Sequence, residues 1–429
     1  MNKTAAAQIT VSIIGLGYVG FPLACACAEK QINVHGIDND SNKINLINRG
    51  VCPLHDPVLQ ETFREAKFPA TSDCEVIRDS DIVVVCVPTP VDANHNPDFT
   101  PLENACEEIQ PYLRKEHLIV IESTVNPGAC EKVVLPILEK SGLTAGKDFD
   151  IAHCPERINP GSEEWTVKKI PRVVGATTPR GLQKALDFYR SFVDAEIIPM
   201  SSIKEAEATK IMENAFRDIN IAFVNEMAVS FAKMGIDAVR VIKAASSKPF
   251  SFLAHYPGCG VGGHCIPVDP YYLIREAKKN GFNHKLLLLA RKINESMPAY
   301  TVGLLAEELA KIHKTIGKTD IGILGVAFKP DVADTRESPA LKIIKLLKNR
   351  GAEPEIFDPL VTEKSTVPTF EALIEKSEAL ILATSHRQFI NMRLEKLKES
   401  PVKILIDGRN CLDKERIQQL GIAYRGIGR

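Results

Sequence analysis

At 429 residues the chain is long enough for two or three domains. Its 45% apolar and 25% charged residues are the proportions of an ordinary soluble globular protein, and a net charge of -1 leaves no broad basic field for nucleic acid or an acidic membrane. Eleven cysteines without a CxxC pair argue for reduced thiols in a cytosol, and against a disulfide framework or a structural zinc site.

The opening stretch imitates a secretory signal, with Lys3 followed by apolar residues as far as Ala28. Three glycines and a proline interrupt that run, and the glycines have a better explanation. Val11-Ser-Ile-Ile14 reads as a buried strand leading into Gly15-Leu-Gly17-Tyr18-Val19-Gly20 and a small-residue helix through Ala28. This is the dinucleotide fingerprint in its required context. Gly15 permits the tight turn, Gly17 lets a pyrophosphate approach, and Gly20 lets the helix pack on the strand. The helix N-terminus then offers free N–H groups to phosphate. A second strand, Ile32 to Ile37, ends at Asp38. An acid there accepts from a ribose 2′-hydroxyl and repels a 2′-phosphate, so NAD is expected over NADP. No later apolar run reaches about 18 residues, so no membrane span is expected.

Short apolar runs at Asp81 to Val87, Leu118 to Ile121 and Phe149 to Ala152 read as strands of a parallel sheet covered on both faces. Each leads into a polar loop: Pro88-Thr89-Pro90, Glu122 to Gly128, and Cys154 to Gly161. Ligands of doubly wound folds lie at the carboxyl ends of the strands. Thr89, Thr124, Glu156 and Arg157 therefore fall where cofactor and substrate meet, unless they serve only as helix caps.

Residues 201–245 read as long helix. Lys210, Asn214, Arg217, Ile221 and Asn225 share one face, while Ile211, Ala215, Ile219, Ala222 and Phe223 form the apolar side. A lysine and an asparagine one turn apart can reach the same oxygen atom; the alternative is a solvated polar face. Next comes Gly258-Cys-Gly-Val-Gly-Gly-His-Cys-Ile-Pro-Val-Asp-Pro-Tyr-Tyr272. It places Cys265 after a run of glycines, Asp269 four residues on, and Pro267 and Pro270 at the exit. A thiol beside a carboxylate suggests a nucleophile with a base or orienting partner. The bland alternative is a buried cysteine in a glycine-rich turn.

Helix is expected from 284 to 312, with Pro298 as a break. The opening pattern then recurs in strands at Asp320 to Leu324, Glu355 to Phe357 (ending at Asp358), Ala379 to Ala383 and Lys403 to Ile406. Alternating strand and helix imply a second, smaller doubly wound domain without GxGxxG. Its first loop, Gly325 to Ser338, offers Lys329 and Arg336 to diphosphate oxygens, or carries them as surface charge. The fold class expected is α/β: two doubly wound, Rossmann-like parallel-sheet domains joined by a helical core with a long central helix.

Together these stretches resemble the UDP-glucose/GDP-mannose dehydrogenase family, the nucleotide-sugar 6-dehydrogenases. The motifs IIGLGYVG, CVPTP, ESTVNPG, PERINPG, EAEATKIMENAFRDINIAFVNE, GVGGHCIPVDPYYL and GVAFKPDVADTRESPA carry the resemblance essentially end to end. UDP-glucose members usually have a lysine just before the aspartate of the cysteine loop, where this chain has Val268-Asp269, and usually lack the Pro-Glu-Arg…Pro-Gly loop of 155–161. Both features resemble the UDP-N-acetylhexosamine members, with Arg157-Ile-Asn-Pro-Gly161 leaning toward UDP-N-acetylglucosamine over UDP-N-acetylmannosamine.

The resemblance implies NAD-dependent four-electron oxidation of C6 to a uronate, for surface polysaccharide precursors. Residues 1–200 would be the NAD-binding domain, 201–312 the central dimerisation domain, and 313–429 the UDP-sugar-binding domain. Cys265 would be the nucleophile, Lys210 and Asn214 would bind the oxyanion at C6, and Asp269 would hold a water or Lys210. Glu156 and Thr124 would organise hydrolysis. Gly15, Gly17, Tyr18, Val19, Gly20, Asp38, Thr89, Thr124 and Arg336 would hold NAD. Arg157, Lys210, Asn214, Arg217, Gly262, Phe328, Lys329 and Asn410 would contact the UDP-sugar, with no metal involved. A homodimer or higher homo-oligomer in the cytoplasm is implied. Family members often borrow an arginine from a partner subunit just before the cysteine loop, and Lys248 to Leu253 has none. The rivals are a two-electron hydroxyacid dehydrogenase of the 6-phosphogluconate type, which needs no cysteine, and a silent NAD- or nucleotide-sensing module. The first rival also uses a lysine and an asparagine on a helix, and the number of NADH per substrate separates it; Lys210, Asn214, Cys265 and Asp269 together speak against the second.

Overall fold

The computed structural model describes residues 9–54, 56–92, 94–158 and 164–429. The chain divides into two compact units: residues through Glu213 together with Tyr271–Gly281, and Asn214–Pro270 together with Phe282–Arg429. Residues 201–312, expected as a central domain, are thus shared between the two units.

The first unit holds an eight-stranded sheet. Its strands are β1 (Thr10–Ile14), β2 (Asn33–Ile37), β3 (Ala70–Thr71), β4 (Ile82–Val85), β5 (Leu118–Ile121), β6 (Asp150–His153), β7 (Arg172–Ala176) and β8 (Ile197–Pro199). They run in the order β3-β2-β1-β4-β5-β6-β7-β8. The first six in this spatial order are parallel, from β3 through β6, and β7 runs antiparallel to β6. Every residue of β4, β5 and β6 is buried, as expected of strands covered on both faces. The strand order reverses between β1 and β4, which opens a crevice at their carboxyl ends.

The second unit repeats the design in five parallel strands: β9 (Ile321–Leu324), β10 (Glu355–Phe357), β11 (Ala379–Leu382), β12 (Ile404–Asp407) and β13 (Ala423–Gly426), in the order β10-β9-β11-β12-β13. Its switch point lies between β9 and β11. Strands β3, β7, β8 and β13 were not expected from sequence. The run Ala423-Tyr-Arg-Gly426 has no apolar block, and β7 opens on an arginine.

The stretch expected as helix over 201–245 is two helices, Ile203–Lys233 and Ala238–Ala245. Gly235 takes φ 71°, while its N–H bonds Ala232 O and that of Ile236 bonds Phe231 O. That paired closure ends a helix at a left-handed glycine. Asp237 then caps the next helix through Arg240 N. The helix Lys285–Lys311 runs unbroken through Pro298, so the expected break is absent.

The long helix Ile203–Lys233 buries a row of polar side chains beside its apolar ones and exposes several large apolar residues. Glu207, Lys210, Asn214, Asp218 and Asn225 are buried, whereas Met212 is 69% exposed, Phe216 47% and Phe223 53%. Phe223, expected on the buried apolar side, is therefore corrected to an outer position. It lies one residue off the stripe that Ala215 and Ala222 bury.

Candidate active site

In the first unit the fingerprint folds as its glycines require. Gly15 has φ 88°, and a Cβ there would lie 2.9 Å from Cys86 O. A Cβ on Gly20 would lie 2.1 Å from Gly15 O, so only glycine lets the helix Gly20–Glu29 start against β1. At Gly17 no atom lies within 4 Å of the Cβ position. That open approach to bare backbone fits a pyrophosphate. Tyr18 and Val19 sit half-buried in the same turn.

Asp38 ends β2 as expected, but its carboxylate already has partners. It accepts from Leu16 N at 2.7 Å, Asp40 N at 3.0 Å and Lys43 Nζ at 2.7 Å. It therefore braces the glycine turn as well as standing at the ribose position. Asp358 does the same after β10, accepting from Val326 N at 2.7 Å and Ala327 N at 3.0 Å. Burial alone would raise the Asp358 carboxyl; the His386 ring and those N–H groups outweigh it and hold it well below the usual range.

The loops after β4, β5 and β6 are tied to one another. Thr89 Oγ1 donates to Thr124 O at 2.7 Å, and Ser123 Oγ donates to Val87 O at 2.7 Å. Tyr272 donates its hydroxyl to Thr89 O. Glu156 lies 3.6 Å through Oε2 from Lys210 Nζ, and its buried Oε1 has no hydrogen-bond partner. Arg157 donates to Pro171 O at 2.8 Å and pairs with Glu213 at 2.6 Å. Asn159, Pro160 and Gly161 of the loop read from sequence lie outside the described residues. Glu207, which sequence reasoning missed, accepts from Gly128 N and from Cys130 N, closing the turn beyond Thr124. Its signal was its position one turn before Lys210.

The cysteine loop belongs to the second unit and leads into the helix Asp269–Lys279, which from Tyr271 on is part of the first. Asp269 N bonds Cys265 O at 2.8 Å, so the thiol residue sits at the head of that helix. Asn214 donates its side-chain amide to Asp269 Oδ2 at 2.5 Å. Asn214, Asp269 and the Cys265 backbone thus form one connected group. Lys210 lies one turn before Asn214 on the long helix. Eight of the eleven cysteines are buried, and Cys265 is one of the three that are partly exposed.

The loop glycines answer to Phe328. A Cβ on Gly262 would lie 2.9 Å from Phe328 Cβ, and one on Gly263, at φ 90°, would lie 2.8 Å from its ring. Phe328 is thus a wall for the cysteine loop. Gly263 N also bonds Arg336 O at 3.0 Å, and the Arg336 guanidinium pairs with Asp334 at 2.6 Å. Lys329 is half-buried, and its ammonium is held below the usual range by burial and then by the charge of Arg217. The Lys329 ammonium thus feels the charge of a second cation. Asn410 has φ 54° and donates its amide to Pro257 O at 3.3 Å and Ile427 O at 3.0 Å, so it braces the start of the cysteine loop.

Sequence reasoning placed Asn225 on the helix face without a task. Its Oδ1 accepts from Gly258 N at 3.0 Å, and its amide donates to Asn294 at 2.8 Å. Asn294 in turn donates to Asp218, which Arg291 also pairs at 2.6 Å. No cluster that could hold a metal, and no helix long and apolar enough to cross a membrane, occurs among the described residues.

The chain matches the UDP-glucose/GDP-mannose dehydrogenase family over its NAD binding domain at residues 9–193, its central domain at 204–296 and its UDP binding domain at 322–414. It is 36% identical to the UDP-N-acetyl-D-mannosamine dehydrogenase of Pyrococcus horikoshii, over 98% of this chain and 99% of that one. It is 35% identical to the UDP-N-acetyl-D-glucosamine 6-dehydrogenase of Pseudomonas aeruginosa, over 95% and 98%. A solved structure of UDP-D-ManNAc dehydrogenase from Pyrococcus horikoshii superposes with a TM-score of 0.92, covering 98% of this chain and 99% of that one.

Proposed function

The chain belongs to the UDP-glucose/GDP-mannose dehydrogenase family, with NAD as its cofactor, and from that premise we propose that it oxidises C6 of a UDP-N-acetylhexosamine to the uronate, UDP-N-acetylglucosamine first among them. The observation that carries this reading is the connected group of Asn214, Asp269 and Cys265, with Lys210 one turn away on the same helix as Asn214. Bound NAD accepts one hydride in each oxidation. Lys210 and Asn214 hold the C6 oxygen as its charge develops. Cys265 adds as a thiolate to the aldehyde, so the reactive carbonyl stays on the protein as a thiohemiacetal. Loss of a second hydride leaves a thioester. Water, oriented by Glu156 and Thr124, releases the carboxylate and restores the thiol. Two NAD and one water are consumed per sugar, and two NADH and three protons are released. Asp269 orients Asn214 for both oxidations.

Lys329 and Arg217 take the diphosphate. Gly17 and its neighbours hold the NAD pyrophosphate, and Asp38 holds the ribose. The protein works in the cytoplasm as a homodimer. The apolar outer ridge of Met212, Phe216 and Phe223 on the long helix packs against a second copy. Sedimentation velocity tests that assembly, and a monomer at micromolar concentration contradicts it.

Val268 before Asp269 and the loop 155–161 support the N-acetylhexosamine branch; the two relatives above, at 36% and 35% identity, carry different epimers in their names. A panel of UDP-glucose, UDP-N-acetylglucosamine and UDP-N-acetylmannosamine, read as NADH absorbance, decides between them. The highest kcat/KM is expected for UDP-N-acetylglucosamine. A preference for UDP-glucose overturns the branch, and a preference for the mannosamine epimer overturns the choice of sugar.

A further inference from the structure

Arg172, the first residue of β7, is the bulkiest fully buried side chain among the described residues. Removing a guanidinium from water costs several kcal/mol, and replacing a buried ion pair by apolar residues is often neutral or stabilising. Stability alone is therefore a weak reason for an arginine here. Its Nε has no hydrogen-bond partner, and neither has Oε2 of its partner Glu122. Topology supplies another reason. Strand β7 runs antiparallel to β6, with Ala152 opposite Ala176 and His153 opposite Gly175. Continuing that register brings Arg172 level with Glu156. A parallel strand would begin at the far edge of the sheet. Only an antiparallel one brings its first residue to the edge where β5 and β6 end.

At that edge Arg172 Nη1 donates to Glu122 Oε1 at 2.8 Å and approaches Cys154 Sγ at 3.7 Å. Its guanidinium lies 5.0 Å over the Tyr189 ring, and Tyr189 donates its hydroxyl to the same Glu122 oxygen at 2.6 Å. Glu122 opens the loop that carries Thr124, and Cys154 opens the loop that carries Glu156. The preceding residue, Pro171, accepts from Arg157 through its carbonyl at 2.8 Å. The start of β7 thus holds both loops from beneath.

We infer that Arg172, with Glu122 and Tyr189, is a positioning residue that sets Thr124 against Glu156 for the thioester-cleaving half of the reaction. The inference rests on the proposed roles of Thr124 and Glu156. A misplacement of about 1 Å costs on the order of 100-fold in rate.

The test is the double variant Arg172→Met/Glu122→Leu, which removes the pair without stranding a charge. Its kcat should fall about 100-fold, and KM for NAD and for UDP-N-acetylglucosamine should fall with it, leaving kcat/KM for each within about threefold of the unaltered protein, because hydrolysis follows the capture of both. Intact-protein mass spectrometry during turnover should find sugar retained on Cys265, because hydrolysis is the step that slows. Arg172→Lys, which keeps the charge and loses the fork, should restore at least about tenfold of the lost kcat. A folded double variant with kcat within about threefold of the unaltered protein overturns the inference. So does a variant whose KM for NAD rises in step with the fall in kcat and which carries no adduct, the mark of a loosened fold. If the double variant does not fold, Tyr189→Phe decides: a lower kcat with retained adduct supports the role, and unchanged kcat overturns it. One NADH per sugar from the unaltered protein would instead overturn the reaction proposed above, whatever Arg172 does.

Discussion

His153 gives the sharpest physical test of the fold beneath the site. It ends β6, it is fully buried, and neither ring nitrogen has a hydrogen-bond partner. Burial pushes its ring down from 6.5 to about 3; the Ile121 carbonyl favours the charged ring slightly without meeting hydrogen-bond geometry. The folded pKa lies below the unfolded one. The unfolded chain therefore takes up a proton below about pH 6.5 that the folded protein refuses until about pH 3. Stability is unaffected at neutral pH and falls as pH drops through that window. Each pKa unit is worth about 1.4 kcal/mol, so this one ring removes about 2 kcal/mol between pH 7 and pH 5. In His153→Leu the packing change is independent of pH, and the other titrating groups are common to both proteins. The difference between their pH dependences isolates the ring. Urea unfolding midpoints at pH 7 and pH 5, monitored through the first unit, should show the unaltered protein losing about 2 kcal/mol more than the variant. Equal losses would mean that His153 is hydrated or paired, and the reasoning would fail.

Two further outcomes concern the ligands. Lys329→Ala should raise KM for the UDP-sugar about tenfold, the loss of one charge-assisted bond, while KM for NAD hardly moves; a change confined to NAD would place Lys329 in the other site. The unaltered protein should use NAD far better than NADP, and Asp38→Ala should narrow that gap by on the order of tenfold while also raising KM for NAD, since Leu16 N loses its acceptor. Equal efficiency with both cofactors in the unaltered protein would refute the role of Asp38.

What could be read from the sequence follows from the range of the interactions. Gly15, Gly17 and Gly20 act within one strand, turn and helix, so their spacing alone reports the geometry found. The apolar runs of β4 and β5 are buried on both faces and carry their own signal. Lys210 and Asn214 were legible because helical period is local. Strand β7 was hidden because its partner, β6, lies more than a dozen residues away and its first residue is charged. Phe328 as a wall for Gly262 and Gly263 is a contact across more than sixty positions, which no spacing encodes. Phe223 was misplaced because an apolar residue on a helix does not say whether it faces a core or another molecule; only burial of the polar ridge beside it shows which face is inward.

The central claim is that the second oxidation takes place on Cys265. Replacing Cys265 by Ser should permit slow acylation at most, through an oxygen ester that hydrolyses poorly. Intact-protein mass spectrometry of Cys265→Ser after incubation with UDP-N-acetylglucosamine and NAD should therefore show one sugar nucleotide retained per chain, with little free uronate. An unmodified Cys265→Ser protein that releases uronate at the unaltered rate, with two NADH per sugar, would contradict the claim and route the second oxidation through a free hydrate.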